Sequence, residues 1–182
     1  MKKLLFLFTT LLLISCSSDE NEESTQTFLE KYDGYIFEST LDDNGYIQVS
    51  RVEFIEDGKK WKVFNEEIEP NGDSYSFCET HFLDGITEFQ ENNFRIESTI
   101  IENTHDLLKI RAKTFDYNFD PIVPNLFESD YQIIDEQLII TSYYDVGFDD
   151  VEELDGVYDG SEVSYMRLSN ISSSELCNPT LN

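Results

Sequence analysis

Alanine is almost missing, since Ala112 is the only one in 182 residues. A helical domain of this size would lack its best helix former, whereas the strand formers Ile, Phe and Tyr are plentiful. Basic residues are scarce as well, with 12 Lys+Arg against 38 Asp+Glu and a formal net charge of −26. Proteins that grip a phosphate backbone need a basic footprint to displace counterions, so the charge argues against a nucleic-acid partner. It argues equally against docking on anionic lipid through a polybasic face. Long apolar runs are absent. The most apolar stretch, residues 4–14, is 11 residues long, well short of the roughly 20 that span a bilayer as a helix. No Gly-rich phosphate loop, nucleophile elbow or His-Glu-x-x-His motif occurs, so no enzymatic activity is expected. What is present is a 40% hydrophobic, 14% aromatic composition. That is enough to pack one domain despite the charge.

The first residues have a defined order. Met1-Lys2-Lys3 is positive, residues 4–14 carry no charge, and Leu13-Ile14-Ser15-Cys16 follows. This order resembles the signal peptide and lipobox of bacterial lipoproteins. The resemblance implies that residues 1–15 are removed as a signal peptide. It also implies that Cys16 becomes an acylated, palmitate-bearing N-terminus that holds the chain on the lipid bilayer. The next residues, Ser17-Ser18-Asp19-Glu20-Asn21-Glu22-Glu23, are similar to the Ser-plus-acidic export signals of surface-exposed lipoproteins of Bacteroidota. They imply a lipid-anchored, surface-exposed protein of the outer membrane; a plain solvated linker would share the composition. Loss of Lys2 and Lys3 takes the basic count from 12 to 10 and the charge from −26 to −28.

With Cys16 committed to lipid, Cys78 and Cys177 remain as an even pair in an oxidising compartment, with one connectivity open to them. A disulfide between them would pin the polar C-terminal tail to the body. Two thiols that never meet stay open as the alternative, because sequence does not fix their distance. The resulting organisation is a tether at 16–26, a β-domain at 27–171 and a tail at 172–182.

Thr27-Phe28-Leu29-Glu30 has capping-box spacing, and Gly34 can end the turn, so a short helix is predicted at 27–33. From there the pattern alternates. Strands are predicted at 35–40, 46–55, 60–65, 74–82, 86–90, 94–102, 107–115, 131–134, 137–143 and 162–168. The breaks carry turn chemistry: Asp43-Asn44-Gly45, Asp57-Gly58, Asn71-Gly72-Asp73, Asp84-Gly85 and Glu91-Asn92-Asn93. Many short strands with short turns and no helical period predict an all-β fold. The expected form is an antiparallel up-and-down β-barrel of about 8–10 strands with a short N-terminal helix, the alternative being a β-sandwich.

Two strand details can be stated in advance. Folding 94–102 onto 107–115 about Thr104 sets Ile100 opposite Leu108, Ser98 opposite Ile110 and Ile96 opposite Ala112, giving one apolar face. The same register sets Arg95 opposite Lys113, an unfavourable like-charge pair. It turns the basic row Lys109, Arg111 and Lys113 outward, where neighbouring carboxylates would balance it; an anion site is the sharper alternative. In 46–55, Ile47 and Val49 lie on one parity and Val52 and Phe54 on the other. This predicts a bulge or bend near Ser50-Arg51, or else a strand whose two halves are covered on different faces.

The lipobox, the acidic tether and Phe28-Leu29-Glu30-Lys31-Tyr32-Asp33-Gly34 leading into a first strand resemble lipocalin-like domain lipoproteins of Bacteroidota. Tyr131-Gln132-Ile133-Ile134-Asp135-Glu136-Gln137-Leu138-Ile139-Ile140 and the closing Glu162-Val163-Ser164-Tyr165-Met166-Arg167-Leu168 extend the resemblance over most of the chain. It implies a lipocalin-like barrel that binds a small apolar or amphipathic ligand. The Gly-x-Trp of lipocalins is replaced by Gly34-Tyr35-Ile36, and the only tryptophan is Trp61. No family binding residues carry over.

Candidate sites are few. Trp61, Tyr75, Phe77 and His81 are the expected ligand-binding residues, with Trp61, Tyr75 and Phe77 at an open mouth. Glu79 shares its parity with His81, and such a pair could move a proton or help hold a metal, although a structural role is the simpler expectation. The segment 145–162 holds eight carboxylates and no Lys or Arg. Among these, Asp149, Asp150, Asp155 and Asp159 could supply the oxygen shell of Ca²⁺, without EF-hand spacing. A solvated connection is the simpler reading of that segment, and no cofactor is required. Three functions remain in play: a monomeric ligand-binding barrel, a filled structural or interaction protein of the cell envelope, and a Ca²⁺-dependent surface module.

Overall fold

The computed structural model describes residues 25–89, 93–118, 124–144 and 160–179. One four-residue helix, α1 (Phe28–Lys31), precedes ten strands. In chain order these are β1 (Ile36–Asp43), β2 (Tyr46–Ile55), β3 (Lys60–Ile68), β4 (Ser74–Phe82) and β5 (Gly85–Phe89). They continue with β6 (Phe94–Asn103), β7 (Leu108–Asp116), β8 (Asn125–Ile134), β9 (Gln137–Tyr144) and β10 (Gly160–Leu168). All form a single antiparallel sheet in the order β4-β3-β2-β1-β10-β9-β8-β7-β6-β5. Every neighbour is a sequence neighbour except β1 and β10, whose pairing curls the meander into a nearly closed up-and-down barrel. One sheet rather than two sets the sandwich alternative aside. Of the predicted strands only β8 was badly cut short, because Asn125–Asp130 mixes polar and apolar residues on both parities.

The two-residue turns do what their chemistry predicts. Asn44 and Gly45 take φ values of 55° and 87°, the double left-handed geometry of a tight hairpin. Asp135 and Glu136 adopt it too, at 51° and 62°, without help from glycine.

One end of the barrel is filled. Phe28 and Leu29 of α1, Phe37, Val52, Phe54, Leu83, Leu108, Ile110, Tyr131, Leu138 and Met166 form the main core. Phe54 sits at its centre, edge-on to Phe28 at 5.4 Å and to Tyr131 at 5.9 Å between ring centroids. Edge-to-face rings add roughly 0.5–1.5 kcal/mol per pair beyond the area they bury. A four-residue helix has no stability of its own. α1 is held by its capping box, with Thr27 accepting from the Glu30 amide and Glu30 from the Thr27 amide. The loop between β6 and β7 holds it as well: the Phe28 amide donates to Thr104 O at 2.6 Å, and the Leu29 amide to Asn103 Oδ1 at 3.2 Å.

That loop corrects the predicted hairpin. Ile100 pairs with Ile110, Ser98 with Ala112 and Ile96 with Thr114, two residues beyond the expected register. A bulge at Ile101 and the longer loop, closed by the Thr104 amide on Leu107 O, account for the displacement. Parity, and so the apolar face, is unchanged. Arg95 now faces Phe115 rather than Lys113, with its guanidinium over that ring, which removes the like-charge clash. The basic row points outward and is balanced there. Arg111 binds Glu128 at 2.7 Å and Lys109 lies 3.4 Å from Asp130.

The bend expected at Ser50-Arg51 is absent. β2 pairs in unbroken register with β1 over Tyr46–Glu53 and with β3 over Ile47–Ile55, with no shift at Ser50-Arg51. Its two halves are instead covered on different faces. Val52 and Phe54 point into the barrel, whereas Val49, Arg51 and Glu53 point outward and are still buried. For Arg51 and Glu53 the cover is the C-terminal tail. Ile36, Phe64 and Leu176 make a second small core on the outer wall, with Ile171 and Cys177 packed against it. Arg51 ties it together. Its guanidinium binds Glu38 and donates to Leu176 O at 3.3 Å and Asn178 O at 2.8 Å, above the Phe64 ring. Ser173 Oγ donates to Glu53 at 2.9 Å. A disulfide joins Cys78 to Cys177 across 99 residues, pinning the tail as expected.

Replacing both cysteines, Cys78→Ala with Cys177→Ala, is expected to lower the unfolding free energy by about 2–4 kcal/mol in denaturant titrations. Faster amide exchange at Ile171 and Leu176 should accompany it. Unchanged exchange would show that the tail holds by packing alone.

Candidate functional site

Above the aromatic base the inward-facing residues turn small and polar. Ser50 donates to Asn65 at 2.6 Å, and the Ser129 and Ser142 hydroxyls meet at 3.0 Å. Nearer the far end, inward parity and burial part company. Leu41, Tyr75, Phe77 and Tyr144 share the inward parity of their strands, yet are 57%, 66%, 36% and 42% exposed. A filled barrel would cover such side chains. Among the described residues nothing covers these side chains at this end.

Two features of the sheet shape the opening. β4 and β5 are its free edges; across them the Phe82 amide donates to Thr87 Oγ1 at 2.9 Å. β1 and β10 pair only at Phe37–Leu168 and Glu38–Arg167, near the filled base, and diverge beyond it. A groove of about 570 Å³ runs along that divergence on the outer side, lined by Glu38, Thr40, Tyr165, Arg167 and Ser169 among others.

The luminal side of the β4–β5 seam carries the more distinctive chemistry. A cleft of about 230 Å³ is lined by Glu79, His81, Phe89, Phe94, Ile96 and Asp116. The strands place these side chains by simple alternation. Glu79 and His81 are successive inward positions of edge strand β4, Phe94 and Ile96 are successive inward positions of β6, and Asp116 lies opposite Phe94 at the end of β7. Rings form a continuous row along the cleft. Trp61 and His81 are 6.0 Å apart, His81 and Phe89 5.3 Å, and Phe89 and Phe94 6.0 Å.

Electrostatics in the cleft follow from partial burial. His81 Nε2 lies 3.5 Å from Glu79 Oε2. Loss of water pushes the His81 imidazole below its ordinary pKa and pushes the Glu79 carboxyl above its own. His81 is therefore neutral at pH 7. Asp116 Oδ1 accepts from the amide and the side chain of Asn118, both at 2.9 Å, which orients its carboxylate. Among the described residues, no Lys or Arg lines the cleft.

The expected site residues fall in different places. His81 lines the cleft, with Glu79 beside it. Tyr75 and Phe77 stand farther along β4, their rings 6.2 Å apart. Trp61 does not reach the mouth. It packs on the filled base, 5.6 Å from Tyr131, and touches the cleft only through His81. Phe89, Phe94, Ile96 and Asp116 were not anticipated. The alternation of β6 already placed Phe94 and Ile96 on its apolar face, but nothing local says that this face meets β4 across a seam. His105, in the β6–β7 loop, sits 2.9 Å from Lys31 Nζ and helps hold α1. Cys16 and the acidic residues Asp149, Asp150, Asp155 and Asp159 lie outside the described residues. Among the described residues, no group of three or more His, Cys, Asp or Glu could hold a metal ion. No helix among them is long and apolar enough to cross a membrane.

Comparison with protein-family models, curated proteins and solved structures finds no match to this chain.

Acidification has a definite sign at His81. Its folded pKa lies below the unfolded value, so the unfolded chain binds more protons between the two. The His81 contribution to stability is thus intact above about pH 6.5 and is lost as pH falls below it. Of the two imidazoles seen by NMR, the one absent in His81→Gln is expected to titrate below 6.5. The same variant should lose part of the acid-side decline in stability. A His81 midpoint at or above 6.5 would contradict the burial argument.

Proposed function

We propose that this protein is a membrane-anchored lipoprotein whose lipocalin-like barrel binds a small apolar or amphipathic molecule in its open half. The observation that carries the binding reading is the exposure of inward-facing Leu41, Tyr75, Phe77 and Tyr144 above a base that is fully packed. A barrel kept only for its shape gains nothing from leaving rings in an open lumen, whereas a ligand would remove them from water at about 25 cal/mol per Å². The ring row ending at Phe94 offers a surface for such a ligand.

Anchoring rests on the sequence. A positive start, a short apolar run, Leu13-Ile14-Ser15-Cys16 and an acidic tether support acylation of Cys16 and export to the outer-membrane surface. A disulfide fits the oxidising side of a membrane.

Trp61 gives the binding reading a direct test, since its ring lies 6.0 Å from His81. Titration of the processed protein with a panel of small lipids, aromatic compounds and glycans is expected to change Trp61 emission saturably for at least one apolar or amphipathic class. Tyr75→Ser with Phe77→Ser should weaken that response about tenfold or more. Silence across the panel would favour the filled, ligand-free barrel. Anchoring is tested separately. In a host that processes lipoproteins, palmitate analogues should label the full chain and not Cys16→Ser.

A further inference from the structure

We infer that the cleft between β4 and β5–β7 selects an organic cation: a small ammonium compound carrying an aromatic or short aliphatic group. The inference rests on the ligand-binding reading above and adds the chemical class.

Each kind of guest would act differently on the sides of the cleft. One wall is apolar, built from Phe89, Phe94 and Ile96. Glu79 and His81 on β4 flank it from one side, and Asp116 on β7 flanks it from the other. A neutral apolar guest would cover the rings but strip water from two carboxylates without replacing it, and an unmatched buried charge is costly. An anionic guest would add repulsion to that loss. A cation is the one guest that suits the rings and the carboxylates alike. Its N–H groups or its positive charge replace the water around Glu79 and Asp116, and its charge sits well against ring faces. Among the described residues the only ionisable nitrogen in the lining is His81, whose pKa burial lowers, so these residues supply no strong cation of their own to compete. Size sets a further limit. About 230 Å³ admits a single ring with a short arm rather than a long acyl chain. The anionic charge of the whole chain, −26, would also raise the local concentration of cations and speed their arrival.

Three guests of nearly equal shape separate the possibilities: phenethylamine, charged at neutral pH; 2-phenylethanol, neutral; and 3-phenylpropionate, anionic. Each is titrated calorimetrically into the processed protein. The amine is expected to bind about tenfold or more tightly than the alcohol, and the propionate not to bind measurably. Glu79→Gln and Asp116→Asn should each weaken the amine about fivefold or more while moving the alcohol by less than about twofold. Ile96→Lys, which supplies a competing cation, should abolish amine binding with the far-UV spectrum and the disulfide retained. Alcohol or propionate binding as tight as the amine overturns the charge selection and leaves the binding reading standing. Amine binding that survives both Glu79→Gln and Ile96→Lys places the site elsewhere and overturns the assignment. Silence of all three guests overturns the inference as well. The binding reading itself falls only if the wider Trp61 panel is silent.

Discussion

The barrel depends on what fills its base. Closure of the meander needs β1 to meet β10, and only two residue pairs make that contact. So short a seam cannot hold two strands together by its own hydrogen bonds. What brings them together is the cluster around Phe54, in which Phe37 of β1 and Met166 of β10 are buried with Phe28. Where the cluster ends, so does the pairing, and β1 and β10 separate. Above that level β1 and β10 share no pairs, although large side chains such as Leu41, Tyr75, Phe77 and Tyr144 face inward there.

The tail reinforces this arrangement from outside. The Ser169 amide donates to Ile36 O at 2.8 Å, so the chain leaving β10 stays attached to β1 just past the last pair. It then crosses the outer wall to the disulfide on β4, an edge strand paired on one side only. Edge strands invite pairing with other chains and are usually protected in some way. Here the free edge is tied through the tail to the seam strand β1. Arg51 makes that crossing compatible with burial, because its charge is met by Glu38 and by two tail carbonyls. Other buried outward carboxylates are met as well, Glu128 by Arg111 and Glu53 by the Ser173 hydroxyl of the tail.

Much of the fold was legible because its determinants are local. Asn44-Gly45 and the apolar alternation around it define a hairpin without reference to the rest of the chain, and so does the capping box at Thr27. Alternation placed the inner and outer faces of β6 and β7 correctly even though the register was two residues out. What failed depends on partners distant in sequence. The bulge at Ile101 reflects the docking of α1 on the β6–β7 loop, about 75 residues away in the chain. The mixed parity of β2 suggests a bend from sequence because nothing local says that Leu176 and Asn178 of the polar tail lie over its outer face. The cleft was half visible for the same reason. His81 and Glu79 are neighbours on one strand, whereas Phe94, Ile96 and Asp116 come to them only through closure of the barrel.

If Cys16 carries the proposed lipid, the position of α1 bears on how the barrel would face a membrane. The described chain begins at Thr25 and docks at once on the filled base, where His105 Nδ1 lies 3.3 Å from Gln26 O. An anchor at Cys16 would leave about ten residues between lipid and base, a reach of at most roughly 35 Å. That tether would hold the packed base toward the membrane and leave the mouth, with Tyr75 and Phe77, directed away from it. A ligand would then enter from the aqueous side, which suits a small charged guest better than a lipid drawn from the bilayer. Were the chain anchored in this way, that orientation and the cleft chemistry would favour the same kind of guest, although one would follow from the position of α1 and the other from the side chains of β4, β6 and β7.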